Sequence, residues 1–349
     1  MILPVEEVVN KNDINILTDI GIPQSKTWGD RTKNIKDLFP HQNILADGSE
    51  SSKEILYYLW RFVTSMRHYD VIVTANIKLA QLVALYRFLF FIRKPKQIVL
   101  ELMLDEEASG LLWKLKVKVQ RLIFSSVDLV FVSSTREVET YSRRFRVPPE
   151  KFRFIPFHTD IINPRRLGEN EGFILSAGKT GRDYAVLNEA LRGTDMKAVI
   201  VSDDYHLKGI DISANITVRK NIPYSEYLTI LEKSRLVVVP LTKHVMSTGQ
   251  VVILEAMALG KPVIATETVG TLDYIENGIT GILVPIGDVG ALRKAIHDLI
   301  RSPSLEEDLA RNGFEKVRRD HTFESYVGRI LLAAEELVRE TQPNLREVS

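Results

Sequence analysis

The sequence predicts an α/β protein built from two doubly wound parallel sheets in tandem. Three observations predict it. Short apolar runs alternate with helical patterns through both halves of the chain. A length of 349 residues exceeds what one compact core usually holds. A stretch from Asp160 to Gly172, with Asn163-Pro164, Gly168 and several charges, separates the two series. Alternating strands and helices give parallel sheets joined by right-handed crossovers. Two such sheets leave a cleft between them, and ligands of these sheets bind at the carboxyl ends of the strands.

In the first half, Asp70 to Thr74 (DVIVT) reads as a strand followed by a helix from about Lys78. Gln97 to Met103 and Val127 to Val132 are the next strands. Ser133, Ser134 and Thr135 form a cap signal for a helix from Arg136 to Phe145, which Val147-Pro148-Pro149 ends. Phe152 to Pro156 is extended. The second half restarts with Phe173 to Ala177 and a helix from about Asp183. Ala198 to Val201 and Leu236 to Pro240 follow as strands, with a helix from Ser225 to Ser234 between them. Val251 to Leu259 is a helix, with Gly260 at its left-handed C-cap and Pro262 just beyond. Pro262 to Thr266 is a buried strand. Ala291 to Ile300, Leu305 to Asn312 and Phe323 to Arg339 show helical spacing. The expected domains are residues 1–160 and 161–322, with the helix 323–339 returning to brace the first.

Composition narrows the class. Hydrophobic residues make up 45% of the chain, as in a globular protein. The absence of cysteine excludes disulfides, thiolate metal sites and cysteine nucleophiles, and fits a cytoplasmic protein. The start of the chain runs into Glu6, Glu7 and Lys11, unlike a secretory signal. The longest apolar stretch, Leu79 to Ile92, is broken by Gln81 and Arg87 and does not read as a membrane span. Net charge is +1, unevenly placed: residues 1–160 hold 23 basic and 19 acidic side chains, residues 161–349 hold 23 and 26.

Two loops carry the chemistry. Ser247, Thr248 and Gly249 feed Gln250 at a helix start, where unpaired backbone N–H groups suit an anion, most often phosphate. One turn on, Glu255 is placed to accept hydrogen bonds from sugar hydroxyls. Phosphate beside a polyol means a nucleotide. The second loop holds Gly178, Lys179, Gly181 and Arg182, after one strand and before a helix. Its backbone and two cations suit a diphosphate and would stabilise it as a leaving group. Each has a plainer reading: Glu255 as an ordinary helix carboxylate, and Lys179 with Arg182 as surface cations on a turn.

From Leu254 to Pro285 the chain closely resembles the donor-binding motif of the retaining family-4 glycosyltransferases. The matching features are Glu255-Ala-Met-Ala, Gly260, Pro262-Val-Ile-Ala, Gly270, Asn277-Gly278, Gly281 and Leu283-Val-Pro285. The resemblance implies the GT-B fold, two Rossmann-like domains facing across a cleft. It further implies transfer of a sugar from a nucleotide-sugar donor to a glycan or lipid-linked acceptor, with retention at the anomeric carbon. Neither cofactor nor metal is expected, since the nucleotide-sugar is a substrate. Glu255 would hold the ribose, and Lys179 and Arg182 correspond to the family's basic pair, in reversed order and closer together. The chain departs from the pattern at Ser247, where the family has a Glu that contacts the transferred sugar. That departure leaves room for a non-catalytic nucleotide-sugar-binding protein, or for another GT-B enzyme such as an epimerase. Asp105, in an acidic run with Glu106 and Glu107, either orients an acceptor hydroxyl or favours a helix dipole. Asp203-Asp204 reads as a loop carboxylate pair rather than a metal site.

Leu111 to Phe124 holds four cations, two aromatics and no acid. As a helix it would be basic and amphipathic. It either lies on an anionic membrane or packs its apolar face on the sheet with its lysines in water. The chain shows no module pattern for nucleic acid.

Overall fold

The protein is described by a computed structural model covering residues 14–20, 28, 32–38, 52–100, 102, 110–161, 163–165, 170–242 and 247–341. The chain forms two compact units, Met1–Ile155 with Glu324–Ser349, and Pro156–Phe323.

In the first unit, β1 (Ile16–Thr18), β2 (Thr32–Asn34), α1 (Ile35–Leu38), α2 (Ser52–Ser65), β3 (Val71–Thr74) and α3 (Ile77–Leu89) come first. Then follow β4 (Lys96–Val99), α4 (Leu111–Ser126), β5 (Leu129–Val132), α5 (Thr135–Phe145) and β6 (Phe152–Phe154). The six strands pair in the order β2-β1-β3-β4-β5-β6, all parallel. Every residue of β3 and β5 is buried, so these strands read as unbroken apolar runs. The strand expected from Gln97 to Met103 is shorter, ending at Val99. Neither β1 nor β2 had a sequence signal: each is three residues long, and in β2 Lys33 and Asn34 break any apolar run. The sheet order reverses between β1 and β3. There Asp19 accepts hydrogen bonds from the Ala75 (2.7 Å) and Asn76 (3.0 Å) N–H groups, closing the mouth of the reversal with a carboxylate.

The second unit contains β7 (Ile174–Ala177), α6 (Tyr184–Leu191), β8 (Ala198–Ser202), α7 (Asp204–Leu207), β9 (Ile216–Lys220) and α8 (Tyr224–Lys233). It continues with β10 (Leu236–Val239), α9 (Gln250–Ala258), β11 (Val263–Thr266), β12 (Ile282–Val284), α10 (Val289–Arg301) and α11 (Pro303–Asp320). The order is β12-β11-β10-β7-β8-β9, again all parallel. Alternate residues of β10 serve opposite cores. Val237 and Val239 pack with α9, while Leu236 and Val238 pack with α6 and α10. Both faces of this sheet are therefore covered, which explains the continuous apolar strands. The helix expected to stop at Asn312 runs to Asp320, because Leu309, Gly313, Phe314 and Val317 keep one face buried.

The last helix, α12 (Phe323–Thr341), belongs almost wholly to the first unit. Its Glu336 pairs with Arg153 of that unit at 2.6 Å. Among the described residues no helix is long and apolar enough to cross a membrane.

Candidate functional site

The second sheet reverses its order at β7, which lies between β10 and β8. Loops leaving β7 and β10 part on opposite sides of that point, and the carboxyl edge between them is where open α/β sheets hold their ligands. The two loops singled out in the sequence are these two. They interlock: Arg182 bridges Leu241 in antiparallel fashion, the Thr242 N–H donates to the Gly181 carbonyl (2.9 Å), and the Asp183 N–H donates to that of Pro240 (3.0 Å).

In the loop after β7, Gly178 sits at φ +114°, a conformation that L side chains rarely adopt. Its carbonyl accepts from Tyr184 Oη (2.6 Å) and Ser202 Oγ (2.9 Å). A Cβ on Gly178 would lie 2.4 Å from an Arg182 guanidinium nitrogen, so the glycine makes room for that side chain. Arg182 turns inward. Its Nε donates to the Ala177 carbonyl (2.7 Å) and its Nη1 to that of Thr180 (3.1 Å), and burial lowers its pKa. It buttresses the glycine turn from beneath, while Lys179 is the exposed cation of the pair. Lys179 Nζ lies 3.5 Å from Asp203 at the end of β8.

Asp203 is the N-cap of α7 rather than one of a loop pair. It accepts from both the His206 N–H (3.0 Å) and the His206 ring Nδ1 (2.6 Å). These bonds, the ring bond first, hold its carboxyl down to about 2 from the ordinary 3.8. A depressed carboxyl adds stability that is present above its unfolded value and lost as pH falls through the folded one. The expected result is that Asp203→Asn flattens the acid limb of unfolding between pH 3.8 and about 2, measured by Tm against pH beside the parent.

The loop after β10 ends in Gly249, left-handed at φ +97°, and α9 starts at Gln250 without a side-chain cap. Gln250 is 8% exposed, and its Nε2 has no hydrogen-bond partner among the described residues. A buried donor in that state is costly unless something accepts from it. Ser247 and Thr248 are buried as well. Gly270 presses on them so closely that a Cβ there would stand 2.4 Å from the Thr248 nitrogen and 2.5 Å from its carbonyl oxygen. Threonines brace the neighbouring turn: Thr271 Oγ1 donates to the Thr266 carbonyl (2.8 Å), and Thr266 Oγ1 accepts from the Leu241 N–H (2.9 Å).

Glu255 is 1% exposed in α9. Tyr224 Oη donates to its Oε1 (2.6 Å) and Tyr227 Oη to its Oε2 (2.7 Å), both from α8. Burial raises the carboxyl more than the two tyrosine donors lower it, and Asp160 adds a further upward push. Desolvation and the Glu255 charge raise both tyrosines. The Arg182 charge acts on Tyr227 in the opposite sense. The tyrosine pair was missed from sequence: the helix read from Ser225 left Tyr224 outside it, whereas α8 begins at Tyr224 and sets the two hydroxyls three positions apart. Asp105, Glu106 and Glu107, with the neighbouring Glu101, lie outside the described residues. Among those described, no group of three His, Asp or Glu side chains could hold a metal.

This arrangement defines a two-unit α/β protein with two interlocked glycine-bearing loops at the switch point of its second sheet. Comparison with known folds agrees. A sucrose-phosphate synthase from Thermosynechococcus elongatus superposes over 93% of this chain and 89% of its own, with a TM-score of 0.65 at 20% identity. Anabaena Alr3699/HepE, solved with UDP, covers 93% and 100% with a TM-score of 0.67 at 16% identity. The fold is GT-B. Residues 184–302 match the family described as glycosyl transferases group 1. Capsular polysaccharide biosynthesis glycosyltransferase CapM of Staphylococcus aureus is 32% identical over 138 residues, 34% of this chain and 35% of that protein. Phosphatidyl-myo-inositol mannosyltransferase of Mycobacterium leprae is 41% identical over 69 residues, 20% and 18% of the two chains. The family match thus covers residues 184–302 of the second unit, which is similar there to the group 1 glycosyl transferases. The match to CapM and that to a Methanocaldococcus jannaschii glycosyltransferase span 35% and 42% of those proteins.

Proposed function

We propose that the protein transfers a sugar from a nucleotide-sugar donor to a glycan or lipid-linked acceptor, with retention at the anomeric carbon. One observation carries the reading: two glycine loops interlock at the switch point of the second sheet, and the helix that follows one of them carries the buried Glu255. On this reading the second unit is the donor domain, and the first serves the acceptor. The diphosphate lies against Gly178, Lys179 and the Ser247–Gln250 loop, where Gln250 Nε2 finds its acceptor. Lys179 supplies the outward charge that stabilises the departing diphosphate, and Arg182 keeps the loop in shape. Ribose hydroxyls reach Glu255 by displacing Tyr224, whose ring is half exposed. The bond from the anomeric carbon to the diphosphate oxygen breaks with its electron pair. The acceptor oxygen attacks the same face, and its proton passes to the departing phosphate. Positioning and charge stabilisation are the protein's contribution.

Ser247 in place of the family's first acid favours one competing reading, a protein that binds the nucleotide-sugar without transferring it. Thermal-shift measurements with UDP-, GDP-, ADP- and dTDP-sugars beside the free nucleotides test the donor site. UDP comes first because the fold neighbour HepE was solved with it. A ligand at a hundred times its Kd stabilises by about 2.7 kcal/mol. A rise in Tm with one nucleotide family supports the donor site, and no rise with any of them refutes it. Product formation with an added acceptor then separates transfer from binding alone.

A further inference from the structure

The second unit has a cavity of about 630 Å³ at the amino-terminal edge of its sheet, the edge away from the two glycine loops. It lies where strands begin. The Arg235 N–H donates to the Phe173 carbonyl (2.9 Å) just before β7, and the Val237 N–H to that of Pro262 (2.9 Å) just before β11. The length of β10, four residues or about 13 Å at roughly 3.3 Å each, separates this edge from the glycine loops. Pro262, Pro303 and Ala310 give the cavity an apolar wall, and Arg235, Lys261, Glu306 and Glu307 give it charge.

The charges do not balance inside. Lys261 is 3% exposed, and among the described residues no hydrogen bond or ion pair reaches its ammonium. The two carboxylates whose charge acts on it are each held by an arginine. Glu232 takes Arg165 at 2.6 Å, and both oxygens of Glu306 accept from Arg235 at 2.7 to 3.1 Å. Burial lowers the Lys261 pKa in spite of both. Glu307 stands exposed at the rim, where water screens it. A cation just past α9 favours the helix dipole, but an exposed side chain does that without giving up its water. A buried ammonium with no partner is costly, and an anion in the cavity offsets the cost.

We propose that this cavity binds a small polyhydroxylated monocarboxylate, a sugar acid, with its carboxylate on Lys261 and its hydroxyls on Glu306 and Asn170. One unmatched ammonium calls for one negative charge, and a dianion such as phosphate would bring a second charge toward Glu306 and Glu307. Each Glu306 oxygen that accepts from Arg235 keeps a lone pair for a hydroxyl. Asn170 spends its Oδ1 on the Gly172 N–H (3.0 Å) and keeps its amide nitrogen for a ligand oxygen. The volume lies within the range of about 300–1,000 Å³ typical of small-molecule sites.

The inference stands apart from the donor reading, because the cavity and the glycine loops lie at opposite ends of the strands. The test is calorimetric titration of the full chain with gluconate and glucuronate, beside glucose and inorganic phosphate. A sugar acid is expected to bind, and glucose, which lacks the carboxylate, to bind roughly ten-fold to a hundred-fold more weakly. Phosphate should bind more weakly than the sugar acid as well. Saturating UDP should leave the sugar-acid affinity unchanged. Lys261→Met keeps the length of the side chain and removes its charge. It should weaken sugar-acid binding by the same factor and raise the Tm of the free protein, while the Tm response to nucleotide stays as in the parent. Binding of neither acid, or glucose or phosphate binding as tightly as the acid, overturns the proposal. So does displacement of the acid by UDP, which would place it in the donor loops. A Lys261→Met protein that binds the acid like the parent removes Lys261 from the site. One that melts lower or fails to fold shows that the ammonium already serves the protein itself, and the proposal falls with it.

Discussion

Glu255→Ala is expected to abolish nucleotide binding and to destabilise the second unit in the same stroke. The change removes the acceptor of two tyrosine hydroxyls, and Tyr227, 8% exposed, cannot turn its hydroxyl to water. A buried donor left unsatisfied costs about 1–3 kcal/mol, which lowers Tm by several degrees in a domain of this size. Glu255→Gln separates the two effects. Burial raises the Glu255 carboxyl above its ordinary 4.5, so its ionised form costs stability as pH rises through the unfolded value, and glutamine escapes that cost. Stability of Glu255→Gln at neutral pH should therefore stay near the parent's. Hydrogen bonds to a charged group contribute about 1.5–3 kcal/mol. Nucleotide affinity should accordingly fall by roughly ten-fold to a hundred-fold in the Gln variant, read by calorimetric titration. A Gln variant that binds nucleotide like the parent would remove Glu255 from the site.

Gly270→Ala should act on the same loop from its far side. The added methyl meets the Thr248 backbone at 2.4 and 2.5 Å and the Ser247 Cα at 3.0 Å, and backbone cannot swing aside as a side chain can. Overpacking of this kind costs about 1–3 kcal/mol. Displacing the Ser247–Gln250 loop by even an ångström should lower transfer on the order of a hundred-fold. Gly278→Ala is the control. Its φ of +76° is strained, but nothing stands within 4 Å of the new methyl. It should lose some stability and leave nucleotide affinity unchanged. Equal effects of the two changes on affinity would mean that Gly270 does not shape the site.

The parts of this protein that could be read from sequence are those whose determinants are neighbours along the chain. Gly249, Gly260 and Pro262 punctuate α9 and β11 within a few positions, and the structure places left-handed glycines at 249 and 260. β10 and β5 are apolar at every position and announce themselves. β1 and β2, at three residues each, fall below what periodicity can detect. The alternating β9 lies at a half-exposed sheet edge and gave no apolar run. At the site, the reach of Tyr224 and Tyr227 to Glu255 spans 31 and 28 positions, and no local pattern encodes it. Arg182 reads as a phosphate ligand because a cation beside two glycines usually faces out. The carbonyls of Ala177 and Thr180 turn it inward, and their direction is a property of the folded loop.

Asp19 bears on stoichiometry. Two Rossmann-like sheets in one chain offer two switch points, and each could in principle take a phosphate. In the first, a carboxylate already uses the Ala75 and Asn76 N–H groups at the mouth of α3, so those donors are not open to an arriving anion. A polyphosphate titrated into this chain should saturate at one equivalent, which leaves the first sheet to ligands that carry hydroxyls rather than charge.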